Sequence, residues 1–444
     1  MIKNIRAIFF AVLAFFMPAA FIFQAKAHAV EPPVIDAQSC ILIDARSGRS
    51  LYERNADEQG LFPASTTKIM TAIIALEKGN PDSLMTASQA AVSDIGKGGM
   101  NIGIMAGETI RMENLLEALL ISSANETANI IAENICSSRE EFIDLMNEKA
   151  RELGALHTHF TNACGMHDEN HYTTARDLAE IARHAMTIPK FREIVRKTEY
   201  NMPPTNKHDS WPTLYTTNKL LRQRQSDLFK VTGIKTGYTL PAGYNLVSSA
   251  ENSEGMELIA VVMGVRNTGA KDNVYKYSEQ LLQYGFLNYS TQVLLQEGET
   301  IDRDVPVEGA ENGASIDLIA ESGIKCVLPI DKNDWNLCIR KYVRSPLEAP
   351  INRGDAVGFI EYERNGVSLG KTNIIASATV EKAAAPDVPE ALKKLAGSAI
   401  LRKTAYSALI AVAAFLILRT ALKIISRRLR SKKRGRLKKE KNSV

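Results

Sequence analysis

The stretch PASTTKIMTAIIAL, residues 63–76, joins a short polar motif to the beginning of an apolar helix pattern. Apolar residues recur at spacings of three and four from Ile69 to Leu76, which predicts a helix. Ser65 then lies at the start of this helix, and Lys68 follows one turn later on the same face. Because serine is also a common helix cap, the pair predicts chemistry only if other motifs accompany it.

Two more polar motifs lie further along the chain: Ser123-Ala124-Asn125 and Lys235-Thr236-Gly237, the second followed by Tyr238-Thr239. Each of these two motifs occurs once, whereas the pattern S-x-x-K also occurs at 322–325 and 368–371. Those two copies lie among short strand-like runs, and we interpret them as turn or strand residues. The three motifs together indicate a serine acyl-transfer site, since they supply a hydroxyl nucleophile, two amines and hydrogen-bonding groups.

This chemistry needs a lysine that loses its proton near neutral pH. Ser65 is a weak nucleophile, and Lys68 can take its proton only when the amine is neutral. Partial burial and a second cation, Lys235, are expected to lower the pKa of Lys68, because both disfavour the charged form. Ser123 is expected to pass protons between the lysine and the leaving group, and the backbone NH groups of Ser65 and Tyr238 are expected to form an oxyanion hole.

The predicted site has a catalytic group and a substrate-binding group. The catalytic group is Ser65, Lys68, Ser123 and Asn125. The substrate-binding group, in which two threonines and the lysine are expected to hold a carboxylate, is Lys235, Thr236, Gly237, Tyr238 and Thr239.

Five cysteines are present, and their spacings indicate neither a metal site nor a CxxC pair. No metal and no other cofactor are therefore expected. Cys326 and Cys338 flank a hairpin-like segment, where the sequence is equally compatible with a local disulfide and with two free thiols. Either state is structural rather than catalytic.

Strand and helix patterns predict an α+β domain over residues 30–290, because strands at both ends can share one sheet that the helices cover. The strand patterns are a hairpin, Cys40–Asp44 with Ser50–Glu53, and an antiparallel pair, Tyr244–Ala250 with Leu258–Val265. The helical patterns are Ile69–Leu76, Met112–Ile121, Ala128–Ile135, Glu140–Leu153, Ala175–Met186 and Lys271–Tyr284.

Short runs separated by Gly, Pro, Asn or Asp predict a small all-β domain over residues 291–382. Residues 383–403 are interpreted as a linker and a short helix. An apolar stretch at 404–425 is long enough to cross a bilayer as a helix, provided that Arg419 and Lys423 extend to the interface.

The two ends of the chain predict its location. Residues 1–29 have the order of a secretory signal peptide, in which basic residues precede an apolar run and small residues follow it. Residues 426–444 hold ten Lys or Arg and one Glu, so this tail carries +9 and the rest of a chain of net charge +4 carries −5. Basic residues beside a span mark its cytoplasmic side, which predicts that the body lies on the outer face of the cytoplasmic membrane. Anionic lipid accounts for the charge of the tail, so no nucleic-acid partner is expected.

The motifs resemble those of the low-molecular-weight penicillin-binding proteins of the serine D-Ala-D-Ala carboxypeptidase family, and serine β-lactamases share the same three motifs. The similarity extends to the longer segments 63–71, 146–147, 152–154, 216–218 and 233–239. Ala124 and the segment 163–166 depart from the common family pattern, which affects substrate detail more than activity.

The resemblance implies a β-lactamase/transpeptidase-like sheet with an inserted helical block. It also implies that Ser65 is the acyl-enzyme nucleophile, Lys68 the general base and Lys235 the binder of the substrate carboxylate. The implied function is removal of the terminal D-alanine from peptidoglycan stem pentapeptides, with covalent binding of β-lactams. The β-rich domain and the C-terminal helix would then hold the catalytic domain at the bacterial cytoplasmic membrane.

Two other functions stay open at this point. A β-lactamase-like hydrolase would share Ser65 and Lys68, but the E-x-x-x-N arrangement that class A enzymes use for deacylation has no counterpart at a suitable place. A catalytically silent scaffold that binds the cell wall would need no intact nucleophile, and the complete set of one serine and two lysines favours an enzyme.

Overall fold

The computed structural model describes residues 30–223, 225–384, 394 and 399–440. The predicted signal peptide at 1–29 lies outside the described residues, as do most of the predicted linker and the last four residues of the basic tail.

The helices, in chain order, are α1 (Lys68–Lys78), α2 (Gln89–Ser93), α3 (Met112–Glu117), α4 (Asn125–Ile135), α5 (Arg139–Glu152), α6 (Ala175–Ala185), α7 (Pro189–Val195), α8 (Lys219–Arg222), α9 (Ala270–Asn288) and α10 (Ala399–Glu440). The strands up to α9 are β1 (Ser39–Asp44), β2 (Ser50–Arg54), β3 (Leu84–Thr86), β4 (Thr109–Arg111), β5 (Glu199–Tyr200), β6 (Leu214–Tyr215), β7 (Lys230–Thr239), β8 (Gly243–Glu251) and β9 (Glu257–Val265). The strands after α9 are β10 (Tyr289–Leu295), β11 (Thr300–Glu308), β12 (Ser315–Ala320), β13 (Ile324–Pro329), β14 (Leu337–Val343), β15 (Leu347–Glu348), β16 (Ala356–Arg364) and β17 (Val367–Ala376).

A five-stranded antiparallel sheet organises the first part of the chain, with the strand order β2-β1-β9-β8-β7. The predicted hairpin and the predicted antiparallel pair are therefore confirmed, and they share one sheet as expected. Side chains alternate between the two faces of a strand. Ile41 and Val261 pack into the core beneath the helical block, while Leu42 and Val262 pack into a second core that includes residues of α9.

One predicted helix of the helical block differs in type from the observed structure, and the short helices α2, α7 and α8 were not predicted. The predicted helix Met112–Ile121 ends as an α-helix at Glu117, and residues Ala118–Ser122 continue as a π-helical turn. Ser123 follows this turn with a left-handed backbone, φ 66° and ψ 29°. Apolar periodicity marks the buried face in both helix types, so it does not reveal this change of hydrogen-bond pattern.

The described chain divides into two compact units. The first contains residues up to 299 together with 320–342 and 359–373, and in it β10 pairs antiparallel with β13. The second contains 300–319, 343–358 and the described residues from 374 onward, and in it β11 pairs antiparallel with β12 and parallel with β15. Strands dominate the region predicted to be all-β, while the exact domain boundaries stay predictions.

Helix α10 contains a stretch, Arg402–Arg427, with the length and composition of a membrane span. Its 26 residues have a mean hydropathy of 2.2 in their most apolar window, and none of that window is buried. A bilayer core requires about 20 apolar residues in a helix. This stretch includes the predicted span 404–425 and is consistent with membrane anchoring. Among the described residues all five cysteines, including Cys326 and Cys338, are free thiols.

Candidate active site

Ser65 lies in a short 3-10 turn, Ala64–Thr67, that leads into α1. The predicted helix start is thus a tighter turn, and the α-helix proper begins at Lys68. Asn245 of β8 holds this turn by donating from Nδ2 to the carbonyl oxygens of Phe62 at 2.8 Å and of Pro63 at 3.1 Å. The Ser65 side chain caps no helix. Its hydroxyl oxygen contacts Lys68 instead, which favours the catalytic interpretation over the capping one.

Lys68 is completely buried and its Nζ makes three hydrogen bonds. They go to Ser65 Oγ at 2.9 Å, Asn125 Oδ1 at 2.7 Å and the carbonyl oxygen of Cys164 at 2.8 Å. Burial lowers the pKa of Lys68 to about 8, although the nearby Cys164 and Glu126 act in the opposite direction. A substantial fraction of the amine is therefore neutral near physiological pH.

Lys235 of β7 is also buried, with 1% of its surface exposed, and its Nζ donates to the carbonyl oxygen of Thr236 at 3.1 Å. Burial, followed by the charge of Lys68, lowers the pKa of Lys235 well below its usual value. The prediction assigned the effect of two neighbouring cations to Lys68. In the structure that repulsion lowers the pKa of Lys235, and the pKa of Lys68 is lowered by full rather than partial burial.

Asn125 begins α4 and connects Lys68 to a neighbouring segment, because its Nδ2 donates to Ile95 O at 2.8 Å. Ser123 is buried next to it, at 4% exposure. Within the described part of the chain, the Ser123 hydroxyl makes no hydrogen bond, so its predicted role in proton transfer stays a prediction. The left-handed backbone at Ser123 is costly for a residue with a side chain, and such conformations are concentrated at functional sites.

The strand that carries the third motif lies directly against the turn that carries Ser65. A Cβ atom at Gly237 would stand 2.7 Å from the carbonyl oxygen of Pro63, so only glycine allows this approach. Thr236 Oγ1 lies 2.7 Å from the hydroxyl of Thr217. Tyr238 is half exposed and stacks on the ring of Tyr244, with 4.3 Å between the ring centroids.

The last residue of the predicted substrate-binding group has a structural contact. Thr239 Oγ1 accepts a hydrogen bond from Ala242 N at 3.1 Å and so stabilises the turn between β7 and β8. The oxygen is engaged in that turn, while the hydroxyl proton remains available to a ligand. Its assignment to carboxylate binding stays a prediction.

Several residues near the site were not predicted from the sequence. The carbonyl of Cys164 holds Lys68, and no side-chain pattern signals a main-chain ligand. Thr217 lies in the family-like segment 216–218, for which the sequence predicts no role, although its hydroxyl lies within hydrogen-bond distance of the Thr236 hydroxyl. His171 is buried, and burial lowers its pKa to about 3. Its neutral Nδ1 accepts from Thr161 N at 3.1 Å, so Nε2 carries the proton toward Thr67 Oγ1 at 2.8 Å.

Two family models match this chain. Residues 26–267 match the D-alanyl-D-alanine carboxypeptidase family, peptidase S11. Residues 289–382 match the C-terminal domain of penicillin-binding protein 5.

Two curated relatives are similar along most of their length. D-alanyl-D-alanine carboxypeptidase DacF of Bacillus subtilis is 30% identical over 354 residues, which covers 78% of this chain and 87% of the relative. D-alanyl-D-alanine carboxypeptidase DacC of Escherichia coli is 30% identical over 382 residues, which covers 84% and 90%. The crystal structure of penicillin binding protein 5 from Haemophilus influenzae aligns with a TM-score of 0.64 at 29% identity, over 80% of this chain and 100% of that one.

The family match and these relatives establish the fold class, a transpeptidase-like α+β domain followed by a β-rich domain. They also establish the reaction class, a serine-type carboxypeptidase in a family that binds β-lactams covalently. Since the match spans more than half of the sequence and the relatives extend through most of it, this chain belongs to the D-alanyl-D-alanine carboxypeptidase family, peptidase S11.

Proposed function

We propose that this protein removes the terminal D-alanine from peptidoglycan stem pentapeptides through an acyl-enzyme on Ser65. The observation that carries the proposal is the set of three contacts at Lys68 Nζ, to Ser65 Oγ, Asn125 Oδ1 and Cys164 O. Family membership supplies the reaction class, and this geometry supports the assignment of each residue.

The contacts of Lys68 determine which way the proton can move. Asn125 Oδ1 and the Cys164 carbonyl oxygen are acceptors only, so the amine must donate to both. A neutral amine has two hydrogens, and both are then used. Its lone pair is left to face Ser65, whose hydroxyl proton it can accept. The pKa of about 8 makes this neutral state available.

The reaction then proceeds in two steps. Ser65 Oγ attacks the carbonyl carbon of the penultimate D-alanine while its proton passes to Lys68 Nζ. Collapse of the tetrahedral intermediate breaks the peptide bond, and the departing amine of the last D-alanine takes a proton from Lys68, directly or through the Ser123 hydroxyl. Water hydrolyses the resulting ester, which restores the serine and releases the shortened peptide.

We assign recognition of the terminal carboxylate to Lys235 and to the hydroxyls of Thr236 and Thr239. Gly237 supports this assignment, because it lets β7 approach the turn of Ser65 closely enough for one ligand to contact both. The backbone NH groups of Ser65 and Tyr238 are assigned to the oxyanion hole, which would stabilise the charge that develops on the attacked carbonyl oxygen.

We further propose that the protein is exported and anchored on the outer face of the bacterial cytoplasmic membrane. The apolar stretch Arg402–Arg427 supports the anchor. The ten basic residues in 426–444 support a cytoplasmic end for this helix, since Lys and Arg accumulate on that side of a span.

D-alanine release from a pentapeptide by purified full-length protein in detergent tests the proposal. We expect release by the wild type, no release by Ser65→Ala, and labelling by fluorescent penicillin only when Ser65 is present. Labelling of the Ser65→Ala variant would remove Ser65 as the nucleophile. Rapid release of penicilloate would instead indicate a β-lactamase, and peptide binding without turnover would indicate a scaffold.

A further inference from the structure

Glu126, the residue after Asn125, carries a buried carboxylate that the mechanism above does not use. Only 1% of its surface is exposed. One oxygen, Oε1, accepts a hydrogen bond from Ile102 N at 2.7 Å, whereas Oε2 has no hydrogen-bond partner among the described residues. Buried carboxylates usually have their acceptor oxygens filled, because an unpaired one loses its solvation without compensation. A role in the site would explain why this cost is tolerated.

The first turn of α4 holds the segment 95–102 against the site. Asn125 N donates to Met100 O at 2.8 Å, Asn125 Nδ2 donates to Ile95 O, and Glu126 Oε1 binds the far end at Ile102. The packing leaves no space for a side chain at Gly99, where a Cβ atom would stand 2.0 Å from Ile95 O and 2.6 Å from Asn125 Nδ2. The same asparagine binds Lys68 Nζ, so the placement of this segment and that of the base are connected.

The charged and titratable groups near Lys68 come from three elements. Cys164 in the 162–166 segment and Glu126 on α4 act on the pKa of Lys68, whereas Lys235 on β7 is itself affected by the charge of Lys68. Burial is the largest effect and lowers the pKa of Lys68, while Cys164 and then Glu126 raise it. Burial also raises the pKa of Glu126, and the backbone NH groups of Ile102, of Glu126 itself and then of residues 103 and 104 oppose that change.

We propose that Glu126 is a positioning residue of this active site, which fixes the segment 95–102 through Ile102 and, when ionised, places a buried negative charge behind Asn125 and Lys68. The inference rests on the proposed role of Lys68 as the general base. Within the described residues the Glu126 side chain hydrogen-bonds to Ile102 and not to Ser65, and it acts through the asparagine and the lysine beside it.

Two substitutions separate the two parts of this role. Glu126→Gln keeps an oxygen for the Ile102 NH and removes the charge. Without that charge the pKa of Lys68 falls, so the base becomes neutral at lower pH. We therefore expect the rate of penicillin acylation, which falls as the pH is lowered, to begin its fall at a lower pH than in the wild type. The matched control Glu140→Gln removes the same charge from an exposed surface position, and the pH at which its acylation rate falls should be that of the wild type.

Glu126→Asp keeps the carboxylate on a side chain that is shorter by one methylene group, so the carboxylate no longer reaches the NH of Ile102. We expect the pH dependence of acylation to be unchanged and D-alanine turnover to be lower by about tenfold, because Asn125 and the base Lys68 are then held less accurately. If the acylation rate of Glu126→Gln fell at the wild-type pH or at a higher pH, the proposed effect of the Glu126 charge on Lys68 would be wrong. Wild-type turnover in Glu126→Asp would overturn the positioning part, and this second variant decides the matter if Glu126→Gln does not fold.

These outcomes are distinguishable from failure of the proposed function. If Ser65→Ala is still labelled by penicillin, the acyl-enzyme assignment fails whatever Glu126 does. If Ser65→Ala is unlabelled and both Glu126 variants behave like the wild type, only the inference about Glu126 fails.

Discussion

The pattern S-x-x-K stands in two very different regions of this molecule. At 65–68 the serine lies in a 3-10 turn and the lysine opens a buried helix, so the two side chains meet at 2.9 Å. At 322–325 both residues are exposed, and Ser322 Oγ bonds to Thr372 Oγ1 at 2.8 Å rather than to Lys325. The tetrapeptide is therefore not a site by itself. The tetrapeptide forms a site only where helical spacing brings the serine and lysine side chains together and burial surrounds the lysine.

The third copy extends the contrast. Ser368 and Lys371 both lie on β17, where residues three apart point to opposite faces of the strand. Lys371 Nζ instead lies 3.8 Å from the centroid of the Phe359 ring, a cation–π contact. The interpretation of both later copies as turn or strand residues is confirmed.

Replacement of the lysine should produce the largest difference between the two regions. Lys68→Arg puts a guanidinium that does not lose its proton at the position of the base. We expect acylation by fluorescent penicillin to fall by about a thousandfold, the scale of general-base catalysis. Lys325→Arg should be labelled like the wild type. Acylation of the Lys68→Arg variant at a near-normal rate would refute the proposed base.

Lys235→Ala tests what the second buried amine, Lys235, contributes to substrate binding at the site that contains Ser65 and Lys68. The substrate carboxylate would lose a desolvated charge partner, so we expect KM for D-Ala-D-Ala peptides to rise by about a hundredfold. Lys230→Ala, an exposed position at the start of the same strand, serves as the control and should leave KM unchanged. Unchanged peptide turnover by the Lys235→Ala variant would count against carboxylate binding.

The pH dependence of kcat/KM should follow the protonation of Lys68. Its pKa is lowered to about 8, and only the neutral amine accepts the serine proton. Below this pH we expect kcat/KM to fall by about tenfold for each unit, with a plateau above it. Lys325→Ala should have the same profile, because Lys325 is exposed and remote from the reaction. A flat profile through this range would exclude titration of Lys68 as the limiting event.

The smallest effect is expected at the second serine. Ser322→Ala removes the hydrogen bond to Thr372, which should lower the free energy of unfolding by about 1 kcal/mol or less. Penicillin labelling should be unaffected. Chemical denaturation followed by tryptophan fluorescence measures the first quantity, and loss of labelling in this variant would mean that the two regions are not functionally separate.

Much of the fold was predictable because its signals are local. Strand-like and apolar runs joined by turn residues predicted β1, β2, β8 and β9, and apolar spacing predicted α1 and α4 to α6 within a few residues. The π-helical turn at Ala118–Ser122 was not predictable, since it changes backbone hydrogen bonds while burying the same apolar face.

The order of amino acids establishes which reactive groups are present and how they follow one another: one serine hydroxyl, two lysines, an asparagine and a glycine that lets two segments approach. Folding establishes which S-x-x-K copy has its lysine buried and that a main-chain carbonyl at Cys164 completes the lysine's contacts. It also leaves one carboxylate oxygen of Glu126, Oε2, without a hydrogen-bond partner among the described residues. The physical reason is that pKa and hydrogen-bond partners depend on burial and on groups distant in the chain. A local pattern contains neither.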